Sequence, residues 1–175
     1  MELISLDING VFGILSSTSI DERGSFLRIW EEANFNTHIK LNQASAAINP
    51  KARTLRGLHF QTEPHEESKV IQCIMGSVFD VVVDLRKDSS TYGKHISIQL
   101  GPKETYQGIV VPKGFAHGYL TLEANSILLY FMDNPYVPES AKGIVWNDPT
   151  LRIAWPYEPE VMSGRDQEFP PMKIL

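Results

Sequence analysis

From Gly10 to Asp148, apolar and polar residues alternate over short stretches that turn residues interrupt again and again. A period of two broken this often predicts many short strands rather than helices. The clearest stretch runs from Ser77 to Arg86, SVFDVVVDLR, where Phe79, Val81, Val83 and Leu85 share one face and Val78, Asp80, Val82 and Asp84 the other. The first face is expected to be core and the second semi-polar. The same pattern predicts strands over Phe12–Ile20, Ser25–Trp30, Asn42–Ile48, Thr54–Gln61, Lys69–Met75, His95–Leu100, Gly108–Val111, Ala116–Leu122 and Ser126–Met132. Turns fall at Gly76, Ser89–Gly93, Pro112–Gly114 and Glu123–Asn125. Glu31–His38 reads as one short helix, and the proline-rich tail from Pro156 onward as irregular. The expected fold is all-β: a sandwich, jelly roll or barrel whose polar interior would open into a small-molecule cavity.

At 175 residues the chain has room for one well-buried core, so residues 1–175 are read as one domain. A net charge of −5 without long runs of one sign leaves no basic footprint for nucleic acid, so an anionic ligand has to be met by local arginines. Cys73 is the only cysteine, which removes intrachain disulfides and cysteine-based zinc clusters and points to the cytoplasm. The opening MELISLDING lacks the charge and apolar run of a secretory signal, and no stretch of about 18 apolar residues suggests a membrane span.

The densest polar cluster in a strand setting is Arg56-Gly57-Leu58-His59-Phe60-Gln61. Histidine is the residue type suited to general-base work near neutral pH, which makes His59 a candidate base, and a hydrogen-bonded structural histidine is the competing reading. Strict alternation places Arg56 and His59 on opposite faces, so both reach one ligand only if Gly57 allows a bulge or twist. Lys69 opens an otherwise apolar strand and either snorkels to solvent or aims its ammonium into a cavity. His117, between a turn and a strand, could contact ligand or serve structure. Tyr130 ends the apolar run Ile127-Leu128-Leu129, where a buried phenol needs a partner or a task. Asp166 reads by composition as an exposed tail carboxylate. The five histidines lack the HxH spacing of metal-binding cupins, so no metal site is expected, and no P-loop, GxGxxG or GxSxG motif is present.

Several segments in order resemble the dTDP-4-dehydrorhamnose 3,5-epimerase family. They are Asp21-x-Arg23-Gly24-x-Phe26, Leu55 to Gln61, Lys69 ten residues after His59, Val78 to Arg86, Ser90-Thr91-Tyr92-Gly93, Val111 to Gly118 and Leu129-Tyr130. Trp146-x-Asp148-Pro149, Ile153-x-Trp155-Pro156 and Ser163-x-x-Asp166 follow. The resemblance implies a cupin-like jelly roll, a homodimer with exchanged N-terminal strands, and no cofactor or metal. The implied substrate is a nucleotide-linked 4-keto-6-deoxy sugar, whose carbonyl acidifies the hydrogens at C3 and C5. By the same resemblance His59 is the base, Asp166 orients it, Tyr130 is the acid on the opposite face, and Lys69 stabilises the enolate. Arg23, given by a partner chain, and Arg56 match phosphate-binding positions, and His117 matches a position in the sugar pocket. With Phe26, Arg28, Gln43, Tyr136 and Arg165 they form the expected substrate-binding set. Cell-envelope polysaccharide synthesis is the usual setting.

Three departures stand out. Arg28 and Ala141 occupy positions where the family carries Glu, and Gln43-Ala44-Ser45-Ala46 departs from Gln-x-Asn. These touch nucleotide or ligand contacts, which opens CDP- and other nucleotide-linked substrates, and an enzyme inverting one centre alone is a further variant. A non-catalytic cupin that binds a sugar nucleotide is the competing class, but it would have no use for a base and an acid on opposite faces. A 3,4-ketoisomerase should lack the tyrosine acid.

Overall fold

The computed structural model describes residues 1–31 and 39–172. Strands β1 (Glu2–Ser5), β2 (Phe12–Leu15), β3 (Thr18–Asp21), β4 (Gly24–Leu27), β5 (Gln43–Asn49), β6 (Leu55–Gln61) and β7 (Lys69–Met75) fill the first half. Then come β8 (Val78–Asp84), β9 (His95–Leu100), β10 (Gly108–Val111), β11 (Phe115–Thr121), β12 (Ser126–Met132) and β13 (Ala141–Gly143). A larger sheet runs β1-β2-β10-β7-β12-β5, a smaller one β13-β6-β11-β8-β9, and β3 pairs only with β4. All pairings between these strands are antiparallel. The two sheets enclose one apolar interior, the expected cupin-like jelly roll.

Ile71, Cys73 and Leu128 of the larger sheet pack there against Val78, Val82 and Tyr119 of the smaller. Each fully buried valine contributes roughly 1.5–3 kcal/mol relative to exposure. Burial pushes the Cys73 thiol up to about 12, so it behaves as an apolar core group. The outer face of the smaller sheet is covered as well, because Val81, Val83 and Leu58 pack under Ile144, Leu151, Ile153 and Trp155 of the C-terminal segment.

The semi-polar face of SVFDVVVDLR is the one turned to the interior, where Val78 and Val82 join the core and Asp80 and Asp84 are both 0% exposed. Each carboxylate is accommodated because it has a partner. Asp80 meets His117, while Asp84 accepts from Arg86, Ser89 and Thr91. The expected strand over Phe12–Ile20 is two strands, since β2 belongs to the larger sheet and β3 turns away to pair with β4. Strands β1 and β13 were not expected. Nor was the turn of helix α1 (Gly164–Gln167) in the tail, capped where Asp166 N donates to Ser163 Oγ. Apart from Glu31, the helix expected over Glu31–His38 lies outside the described residues. Among the described residues no helix is long and apolar enough to cross a membrane.

Burial alone would raise the Asp84 carboxyl, but the hydrogen bonds from Arg86, Ser89 and Thr91 outweigh it and hold the group well below the usual carboxylate range. A depressed folded-state value means a contribution present above the unfolded value and lost as pH falls toward the folded one. Asp84→Asn is therefore expected to cost roughly 1.5–3 kcal/mol at neutral pH. In urea titrations from pH 7 downward, the gap to wild type should begin to close only below about pH 4.

Candidate active site

One cavity of about 460 Å³ opens between the two sheets. From the smaller sheet Arg56, His59 and His117 line it, and from the larger sheet Gln43, Lys69, Tyr130 and Met132. The faces follow from register: Tyr130 lies opposite Ser45, and Met132 opposite both Gln43 and Lys69, so these side chains share the inward face. Across the gap His59 and His117 are direct neighbours on β6 and β11.

The conflict between Arg56 and His59 is resolved by a bulge. His117 pairs with His59 and Tyr119 with Arg56, so β6 spends three residue steps where β11 spends two. The extra residue restores both side chains to one face. Gly57 makes this possible: its φ is 139°, and a Cβ there would stand 2.5 Å from Gly118 Cα. Asn49 then fixes the arginine, its Oδ1 accepting from Arg56 Nε at 3.0 Å and from the Tyr119 hydroxyl at 3.2 Å.

Asp166 is not an exposed tail carboxylate. Helix α1 packs on β6, and the Asp166 side chain is 6% exposed, its Oδ1 2.8 Å from His59 Nε2. Its Oδ2 accepts from Gly57 N at 3.2 Å. Burial pulls the Asp166 carboxyl upward, yet the hydrogen bonds from His59, Gly57 and Ser163 prevail and keep it below its ordinary value. An ionised carboxylate only accepts, so a neutral His59 carries its proton on Nε2 and leaves Nδ1 as the basic nitrogen. Phe169 meets the His59 ring edge-on at 5.6 Å, seated where a Cβ on Gly143 would lie 2.3 Å from its ring.

Lys69 does not snorkel to solvent. Its ammonium sits 3.2 Å from Glu67 Oε1 and donates to the His59 carbonyl at 3.4 Å. The Tyr130 ring stands edge-on to His117 at 6.0 Å, and desolvation, reinforced by Tyr119 and Asp80, drives its phenol well above the ordinary value. At neutral pH the phenol therefore stays protonated. His117 Nε2 lies 2.8 Å from Asp80 Oδ2. Arg165 donates to the Tyr136 hydroxyl and to the Ala141 carbonyl, each at 3.2 Å. Gln43 Oε1 accepts from Tyr136 N at 3.1 Å.

The structure thus gathers His59, Lys69, Tyr130, Arg56, His117, Gln43, Tyr136 and Arg165 around one cavity, with Asp166 behind His59. It does not bring Arg23, Phe26 or Arg28 there. Arg23 pairs with Asp21 on the β3–β4 hairpin, and Arg28 pairs with Glu31. Glu67, Asp80 and Phe169 escaped the sequence reading. Only Asp80 carried a usable signal, a carboxylate spaced between Val78 and Val82 on an apolar face that needs a partner. Among the described residues no three of His, Cys, Asp and Glu converge as a metal site requires.

Residues 5–173 match the family model described as dTDP-4-dehydrorhamnose 3,5-epimerase. The chain is 38% identical over 154 residues to the dTDP-4-dehydrorhamnose 3,5-epimerase of Sinorhizobium fredii, covering 86% of this chain and 78% of that protein. It is similar in structure to the Bacillus anthracis dTDP-4-dehydrorhamnose 3,5-epimerase solved with TDP and pyrophosphate bound, with a TM-score of 0.91 and 32% identity over 98% of this chain and 99% of that one. A 3′-monoepimerase of Streptomyces bikiniensis, solved with dTDP-quinovose, superposes with a TM-score of 0.87 at 26% identity, covering 98% and 87% of the two chains.

Gly57→Ala should act on fold and site together, because a side chain at this φ is strained and its Cβ collides with Gly118 backbone. The expected loss is about 1–3 kcal/mol in urea unfolding, accompanied by weaker binding of a nucleoside diphosphate as Arg56 shifts.

Proposed function

Because the chain belongs to the dTDP-4-dehydrorhamnose 3,5-epimerase family, we propose that it inverts C3 and C5 of dTDP-4-dehydro-6-deoxyglucose or a closely related nucleotide-linked 4-keto sugar. The observation that carries this reading is that His59 and Tyr130 face one cavity from different sheets. Epimerisation needs a base and an acid on opposite faces of a carbon, and a binding protein has no such need.

His59 Nδ1 takes the proton from the carbon beside the ketone. The C–H electrons pass into the new C=C bond, and the C4 oxygen gains the negative charge. The Lys69 ammonium stabilises that charge as it develops. Tyr130 returns a proton from the other face, the C=O bond reforms, and the phenolate regains its proton from solvent or from the imidazolium. Asp166 holds the His59 tautomer and stabilises the imidazolium. Arg56 and Arg165 offer guanidinium groups suited to a diphosphate, with His117, Gln43 and Tyr136 around the sugar and nucleotide. A cytoplasmic setting goes with a nucleotide-linked substrate.

The same reading includes a homodimer with exchanged N-terminal strands. Among the described residues the β3–β4 hairpin pairs with no other strand, and its Ile20 and Phe26 are 79% and 73% exposed. Strand β5 forms one edge of the larger sheet, without a strand partner among the described residues, and its Ile48 is exposed. Unpaired edges and exposed large apolar groups are what a second copy would cover. Delivered across that interface, the hairpin would bring Arg23, Phe26 and Arg28 to the partner's cavity.

Incubation with dTDP- and CDP-linked 4-keto-6-deoxyglucose in heavy water, followed by NMR, is expected to show deuterium entering both C3 and C5. Entry at one carbon would identify a mono-epimerase, and no entry from folded protein would overturn the epimerase reading. His59→Ala should abolish exchange. Tyr130→Phe should retain exchange while losing inversion, and equal, complete loss in both variants would contradict the two-face assignment. Sedimentation should give the mass of two chains, and Ile20→Asp combined with Phe26→Asp should give monomers with weakened substrate binding. A wild-type monomer would rule out strand exchange.

A further inference from the structure

Resting on the epimerase reading, we infer that Glu67 is a positioning residue that orients the Lys69 ammonium toward the reacting carbonyl. Four cationic side chains line the cavity, Arg56, Lys69, Lys142 and Arg165, and among its described lining residues Glu67 is the only carboxylate. A carboxylate beside an anionic substrate weakens binding unless it serves another group. Glu67 serves Lys69: the two side chains are each 10% exposed and 3.2 Å apart.

The arrangement behind Glu67 is rigid. Gln61 Nε2 donates to Glu67 Oε2 at 3.1 Å, to the His65 carbonyl at 2.9 Å and to the Pro135 carbonyl at 3.2 Å. Gln61 Oε1 accepts from Val137 N at 2.7 Å, so its amide cannot turn over without breaking bonds at both ends. With Oε2 pinned, Oε1 is presented to Lys69. The ammonium is thereby drawn to two fixed acceptors, Glu67 and the backbone carbonyl of His59. A tetrahedral N–H₃⁺ group held from two sides keeps its third N–H in one direction. Since one of the two anchors is the carbonyl of His59 itself, that direction is registered against the proposed base. A lysine stem with four rotatable bonds would otherwise sample many positions, at a cost when the enolate forms.

The test uses the full chain and two readouts. In substrate-free protein, the Lys69 ¹⁵Nζ signal is expected in wild type, where the held ammonium exchanges slowly with water, and lost in Glu67→Ala. On the 4-keto sugar, Glu67→Ala is expected to lower kcat roughly ten- to hundredfold with KM changed by less than about twofold. The double variant with Lys69→Ala should be no slower than Lys69→Ala alone, because Glu67 acts only through the lysine. Glu67→Gln keeps the volume should the alanine variant fail to fold. It is expected to fall in the same direction, since an amide has one acceptor oxygen and Gln61 offers it only N–H. A persistent Lys69 signal, or independent losses that multiply in the double variant, would overturn the inference. Absence of exchange by wild type would instead overturn the epimerase reading, and the Lys69 signal would still decide this one.

Discussion

The cavity depends on how closely two strand backbones approach. Where β6 passes β11, Gly57 faces Gly118 at a separation that no Cβ tolerates, and the strand takes one extra residue within that contact. Without the extra residue, the period of two would send Arg56 inward and His59 outward, or the reverse, and the cationic and basic groups would never meet one ligand. The same contact orders the tail, because Gly57 N donates to Asp166 Oδ2 while Asp166 Oδ1 holds His59. A backbone irregularity thus sets the face, the tautomer and the partner of one histidine. Rigid strands on either side give it the precision that a loop would lack.

Charge explains the rest of the design. A cavity lined by four cationic side chains and one carboxylate favours an anionic ligand, although the chain as a whole carries a net charge of −5. Attraction is therefore local to the cavity rather than a property of the whole chain's charge. Within the cavity several of these groups have a neutral or opposite neighbour that fixes them. Asn49 holds Arg56, the Ala141 carbonyl and Tyr136 hydroxyl hold Arg165, and Asp80 holds His117. Groups held in place before the substrate arrives need not reorganise as charge develops, which is where electrostatic stabilisation gains most.

Strand periodicity made most of the fold legible. β7, β9, β10 and β12 end where the alternation ends, because those strands sit between turns whose glycines and prolines leave no freedom. The faces of β8 were harder. Alternation located Asp80 and Asp84 on one face, but their complete burial depends on His117 and on the Arg86–Ser89–Thr91 cluster, which only the folded chain assembles. Asp166 shows the same limit from the other side. A carboxylate in a polar tail looks solvated by composition, and a turn of helix against β6 buries it. Resemblance paired it with His59, whereas no local pattern could. Glu67, in the run His65-Glu66-Glu67-Ser68, reads as an ordinary charged loop until Gln61 and Lys69 close around it.

On the proposed epimerase reading, the departures from the family pattern bear on the nucleotide end of the ligand. Ala141, at a position where the resembled pattern has a glutamate, offers no carboxylate at the cavity rim, and Arg165 donates to the Ala141 backbone carbonyl and the Tyr136 hydroxyl. A carbonyl neutralises a guanidinium less than a carboxylate would, so Arg165 keeps more of its field for a phosphate. Arg28, also in place of a glutamate, adds a second step in the same direction wherever the hairpin is delivered, although here its charge is shared with Glu31. Both changes would remove acceptors able to read base N–H groups and would add attraction that any diphosphate feels equally. Discrimination between nucleotides would then fall to shape, through Gln43, Tyr136 and the small cavity-lining side chains Ser45 and Ala46, rather than to carboxylate hydrogen bonds.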